Sequence, residues 1–154
     1  MTYPTPEIGG PTPIPSHHVL TFYAPATGVG KGCVGTEEVD PPLEQWEPLT
    51  YVGYQATRAA TGVAPEAFAN HDVMENSAPL GAVLVTIGHD EQGKGGHSVI
   101  QPCYSGTAPA VGSQVVSDGA GCVRAATTGE EGIGEVMRIC ATAADGTKRL
   151  DLLI

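Results

Sequence analysis

A chain of 154 residues suits one domain, or one domain with an appendage, and its 17 acidic against 7 basic side chains leave a net charge of −10. Nothing in that balance offsets a phosphate backbone, so sequence-independent binding to nucleic acid and adhesion to an anionic membrane are both disfavoured. With 21 Gly, 13 Pro and 16% charged residues, and no long amphipathic run of helix formers, the composition is that of a turn-rich β protein.

No apolar run approaches the roughly 20 residues that span a bilayer. The opening MTYPTPEIGG has neither the basic nor the apolar region of a signal peptide. The chain is therefore expected to be made and kept in cytoplasm, or in something assembled there.

Nine of the 13 prolines fall within residues 1–48, and Pro4, Pro6, Pro11, Pro13 and Pro15 punctuate the first 17 residues. Each proline fixes φ and removes a donor, so residues 1–17 read as an extended, polyproline-like arm rather than a central strand or helix. At about 3.1 Å per residue such an arm reaches roughly 50 Å. Tyr3, Ile8 and Ile14 give it apolar side chains that a mere spacer would not need. The adjacent His17 and His18 point different ways in extended chain and read as surface residues rather than metal ligands.

Residues 18–23 (HVLTFY) read as a first strand and residues 28–35 (GVGKGCVG) as a loop. Residues 36–48 are acidic and broken by proline, so 18–48 as a whole is taken as a strand with a connecting segment. Trp46, the only tryptophan, reads equally as a core or rim aromatic and as an interface anchor. From residue 49 the chain changes character, and 49–154 is expected to be a β-rich body. Residues 49–55 are strand-like, and 65–76 (PEAFANHDVMEN) fit one short helix or an ordered loop.

Residues 83–87 and 97–101 read as paired strands around GHDEQGKGG. Gly88, Gly93 and Lys94 fit the phosphate-cradling pattern G-x-x-x-x-G-K-[ST]. Position 95 is Gly, so the hydroxyl for Mg²⁺ is missing. Asp90 and Glu91 put negative charge where phosphate would lie, and HSVIQ follows as strand rather than helix. The loop is read as a glycine-rich hairpin connection without a nucleotide.

Beyond it, turns recur at SGTAPAVG, SDGAG, TTGEEG and ADGT, and Asp118-Gly119 and Asp145-Gly146 are strong hairpin signals. In the last run Leu150, Leu152 and Ile154 share one face, with Arg149 and Asp151 on the other. Short, regularly spaced strands predict a mainly β body, a small barrel or sandwich. Its expected core includes Val83, Val85, Val99, Val115, Val123, Ile133, Val136, Leu150 and Leu152. Cys33, Cys103, Cys122 and Cys140 form no C-x-x-C pair, so reduced, mostly buried thiols are expected. Asp90-Glu91, Glu130-Glu131, His89 and His97 offer carboxylates and imidazoles, but no nucleophile elbow, H-E-x-x-H or triad pattern organises them. The chain is read as non-enzymatic, with no cofactor and no metal.

Residues 110–154, AVGSQVVSDGAGCVRAATTGEEGIGEVMRICATAADGTKRLDLLI, carry an ordered series of motifs. Val111-Gly112-Ser113-Gln114-Val115 follows V-G-x-x-V, and Asp118-Gly119 with Gly121 and Val123 follows D-G-x-G-x-V. Ala126, Gly129, Ile133-Gly134 and Val136 follow A-x-x-G-x-x-x-I-G-x-V, and Asp145-Gly146 precedes a terminal apolar strand. This series resembles the C-terminal part of the head decoration, or capsid cement, proteins of tailed bacteriophages.

The resemblance implies a small β-barrel or β-sandwich body, β-tulip-like, carrying an extended Pro-rich N-terminal arm. It implies a non-enzymatic protein of the virion's outer surface, made in the host cytoplasm. Such a protein stabilises the expanded capsid by binding the major capsid protein, and forms a homotrimer. Candidate contact residues are Tyr3, Pro4, Pro6, Ile8, Pro11, Pro13 and Ile14 of the arm, with Trp46. The alternative is a phage tail or surface β module that binds carbohydrate or another structural protein. Exposed aromatics on one face would favour it, but aromatic content is 5%.

Overall fold

The computed structural model describes residues 11, 19–23, 33–34, 37–38, 44–53, 55–70, 79–84 and 98–154. Every regular element among them is a strand, so the body is mainly β. In chain order the strands are β1 (Val19–Tyr23), β2 (Cys33–Val34), β3 (Glu37–Glu38), β4 (Pro48–Val52), β5 (Gln55–Arg58) and β6 (Ala67–Ala69). They continue with β7 (Pro79–Leu84), β8 (Val99–Ile100), β9 (Val115–Ser117), β10 (Val123–Ala125), β11 (Glu135–Ile139) and β12 (Leu150–Leu153).

The first half is a strip in the order β5-β4-β6-β7-β1, rolled until β1 meets β5. Strands β4 and β5 form a hairpin with Val52 opposite Gln55, and the hydroxyls of Thr50 and Thr57 meet across it at 3.1 Å. Strand β7 pairs antiparallel with β1 over five residue pairs, from Val19–Val83 to Tyr23–Pro79. The two ends of the strip touch through one parallel pair, Tyr23 opposite Gln55, so the ring has a point seam rather than a full ladder.

Two expectations are corrected here. Residues 67–69 are strand β6, not helix, because Ala67 and Phe68 lie between β4 and β7 with Phe68 fully buried. Sheet burial overrides the helix preference of alanine. The loop expected over residues 28–35 includes β2, which pairs with β3 as Cys33 opposite Glu38 and Val34 opposite Glu37. Strand β8 pairs with β12, Leu152 opposite Ile100 and Leu153 opposite Val99, while residues 85–87 of the run expected to pair with it lie outside the described residues. A nine-residue connection such as 88–96 imposes no register, so burial decides the partner. That connection lies outside the described residues.

The second half places β9 and β10 in a hairpin around Asp118-Gly119, and β11, β12 and β8 in a sheet with β12 central. Asp145-Gly146 turns the chain between β11 and β12, with Gly146 at φ 85°. Asp118 closes its own turn: Oδ1 accepts from the Ala120 and Cys122 amides at 2.7 and 3.0 Å, and Oδ2 accepts from Ser105 Oγ at 2.8 Å.

The core gathers Trp46, Phe68, Ile100, Val115, Val123, Val136, Leu150, Leu152 and Ile154, with Tyr104, Ile133 and Ile139 packed against it. Of the expected core, Val115, Val123, Val136, Leu150 and Leu152 are fully buried, Ile133 is packed at the margin, and Val99 is half-buried. Val85 and the side chain of Val83 lie outside the described part. The outer face of β12 is not solvated as its alternation suggests. Asp151 is 1% exposed and accepts from Arg138 Nε at 3.0 Å and Gln101 Nε2 at 2.8 Å.

The expectation of reduced thiols is also corrected, since Cys103 and Cys122 form a disulfide with Cα atoms 4.8 Å apart. No short motif announces it, because the sulfurs meet only through folding. Tyr104 bridges Val123 in parallel and the Val123 amide donates to the Cys103 carbonyl at 2.8 Å, which brings the two chain segments side by side. Cys140 is free and half-buried.

Ser117, at the end of β9, joins the halves. Its amide donates to Val63 O at 2.9 Å, its carbonyl accepts from Gly62 N at 2.9 Å, and its Oγ donates to Ala59 O at 2.8 Å. Ser117→Ala should leave Ala59 O without its hydroxyl donor and cost about 1–3 kcal/mol in urea unfolding. Replacing Cys103 and Cys122 together by Ser should cost about 3 kcal/mol in the same measurement, the entropy of closing a loop of this size.

Candidate interaction site

Of the arm residues expected to make contacts, Tyr3, Pro4, Pro6, Ile8, Pro13 and Ile14 lie outside the described residues, as do His17 and His18. Pro11 is described. It lies in no strand, is exposed, and lines a cleft of about 260 Å³ together with Gln45, Trp46, Gln101 and Arg149.

Trp46 lies in the core, in keeping with the first of its two readings. It is 7% exposed and belongs to the core cluster, showing only a margin to the cleft. Its backbone has φ 69°, the one positive φ outside glycine among the described residues. That conformation costs of order 1–3 kcal/mol for a bulky residue and persists only where surroundings impose it. Here the Trp46 amide donates to Ala69 O at 2.7 Å and the Glu47 amide to Glu44 O at 3.3 Å, pinning the turn while the indole is buried.

The cleft's polar wall is held from beneath. Arg149 Nη1 donates to Gln101 O at 2.8 Å, Gln101 Nε2 donates to Asp151 Oδ1 at 2.8 Å, and Arg138 holds the other carboxylate oxygen. Gln45 Nε2 donates to Asn70 O at 2.9 Å on the opposite side. Cys140 borders this network with its Sγ 3.6 Å from Asp151 Oδ1. Burial, and then the neighbouring Asp151 charge, push its thiol pKa up, so it stays protonated and a poor nucleophile at neutral pH.

A second surface is apolar. Val111 is 67% and Met137 48% exposed, and they flank the backbone bond from Gly112 N to Val136 O at 2.7 Å. Sequence reasoning placed Val111 in a strand opening and passed over Met137. Alternation along β11 held the signal, since Val136 faces inward and its successor must face out. A β-bulge between Val136 and Arg138 then re-aims that position. Val52, 86% exposed, stands at the tip of the β4–β5 hairpin, away from any turn that the sequence reading had singled out.

The carboxylates considered for chemistry divide. Asp90, Glu91, His89 and His97 lie outside the described residues. Glu130 is committed to Arg124 by two bonds of 2.7 and 2.9 Å and to the amide and hydroxyl of Thr127, both at 2.9 Å. The Arg124 hydrogen bond, followed by those from Thr127, holds its pKa down to about 2. Among the described residues no group of three or more His, Cys, Asp or Glu is arranged to hold a metal. Comparisons with protein-family models, with curated proteins and with solved structures each find no match to this chain.

Because the folded pKa of Glu130 lies below its unfolded value, its contribution to stability is present above pH ~4.5 and lost as pH falls toward ~2. Glu130→Gln should therefore flatten the fall in melting temperature across that window, read by thermal unfolding at a series of pH values, and leave the curve's shape above pH 5 unchanged.

Proposed function

We propose that this chain is a non-enzymatic structural protein that decorates and stabilises the expanded bacteriophage capsid by binding the major capsid protein. The observation that carries the reading is the ordered run of turns over residues 110–154. Gly112, Gly119, Gly121, Gly129, Gly134 and Gly146, the glycines of the motif series, all have positive φ. Positive φ at these positions means that the motif series encodes tight turns, which supports reading it as an ordered set of hairpin signals.

Two further features support it. Val111 and Met137, exposed on either side of one backbone bond, are apolar side chains that a protein contact would bury. The Cys103–Cys122 disulfide suits a particle that leaves a reducing cytoplasm for oxidising surroundings. In this reading the body associates as a homotrimer on the outer face of the shell, and the Pro-rich arm adds contacts to a neighbouring subunit.

Purified chain mixed with undecorated, expanded heads should co-sediment and appear as regular surface density, with trimers in native mass spectrometry. Val111→Asp combined with Met137→Lys should keep the circular-dichroism spectrum and weaken co-sedimentation about 10²-fold or more, because burying each apolar side chain is worth about 1.5–3 kcal/mol. Wild-type chain that never binds heads would overturn the function, whereas an unaffected double variant would move the contact elsewhere on the body.

A further inference from the structure

A proline-rich segment is a distinctive ligand. Each proline has lost its backbone donor and kept its carbonyl, and the polyproline conformation leaves those carbonyls unpaired within the chain. A surface that binds it needs an aromatic margin for the ring and hydrogen-bond donors for the carbonyls. The cleft lined by Gln45, Trp46, Gln101 and Arg149 has this make-up, and Pro11 lies in it.

The donors are positioned in advance. Arg149 uses Nη1 on Gln101 O, and a guanidinium has five N–H groups, so donors are left over. Asp151, 1% exposed and itself held by Arg138, fixes Gln101 from below. Trp46 is presented by a turn of positive φ that is pinned by the bond from its amide to Ala69 O and by burial of the indole. None of these restraints comes from Pro11, so the wall exists whether or not the proline is seated.

Pro11 in turn belongs to no strand and is exposed, so sheet pairing does not impose its position and one side of it faces solvent. A contact of that kind opens at low cost and can exchange. We propose that this cleft is a proline-recognition groove whose occupant is the chain's own N-terminal segment, seated at Pro11. The proposal stands apart from capsid attachment, and its test needs the purified chain alone.

Trp46 is the only tryptophan, so its fluorescence reports the cleft directly. In the full chain Pro11→Gly should shift Trp46 emission to longer wavelength and raise its quenching by acrylamide, with the circular-dichroism spectrum unchanged. A synthetic peptide of residues 5–17 added to that variant should restore the wild-type emission saturably. The same peptide carrying Pro11→Gly should bind about tenfold more weakly. In the wild-type chain, nuclear Overhauser contacts between the Pro11 ring and the Trp46 indole are expected, a reading that does not depend on how any variant folds. Unchanged emission in the variant, a peptide without saturable effect, or the absence of those contacts overturns the proposal.

Discussion

The contact between Ser117 and the turn over residues 59–63 is what joins the two halves of the body. Neither half is large: the first is a rolled strip with a single-pair seam, and the second joins a short hairpin to a three-stranded sheet. Isolated, such sheets are marginal in water. Ser117 is fully buried and uses its amide, carbonyl and hydroxyl on Val63, Gly62 and Ala59, so the strip's turn becomes a further layer on β9. Its hydroxyl also accepts from Gly119 N at 3.0 Å, tying the hairpin turn into the same joint. Close packing there disfavours a side chain at either glycine, and both have positive φ. A Cβ on Gly62 would come within 2.8 Å of Glu130 Oε1, and one on Gly119 within 3.1 Å of the Thr61 backbone.

Around that joint, apolar and polar groups divide the work of alignment. Trp46 and Phe68 cross from the first half into the core built by β8 to β12, so burial is shared across the boundary. The Arg124–Glu130 pair sits beside Gly62, and its short bonds favour one approach of the turn. On the far face of β12 the paired Asp151 orients Arg138 and Gln101. A buried carboxylate is tolerated only when so satisfied, and it specifies geometry more than it adds stability. The floor of the Trp46 cleft thus follows from the same network that aligns the last strand.

Much of the C-terminal body is legible in the residues. Asp118-Gly119 and Asp145-Gly146 encode turns because aspartate accepts from nearby amides and glycine takes positive φ, and both turns fall where these pairs stand. Leu150, Leu152 and Ile154 bury one face because side chains alternate along a strand. The candidate site was less visible. The cleft draws Pro11, Gln45, Trp46, Gln101 and Arg149 from across the chain, and no local pattern links residues so far apart. Arg149 and Gln101 look like ordinary polar residues until β12 and β8 bring them together.

What the sequence determined by itself was local: a mainly β chain, the positions of its tight turns, and the inward face of its strands. These depend on φ preferences and on a period of two, which a short window contains. The tertiary structure alone decided the partners of strands not joined by a tight turn, such as β8 with β12, the disulfide between Cys103 and Cys122, the burial of Trp46 and the enclosure of Asp151. Those outcomes depend on which distant surfaces exclude water from one another. Strand period and turn chemistry are the same for many pairings, and only the packed whole selects among them.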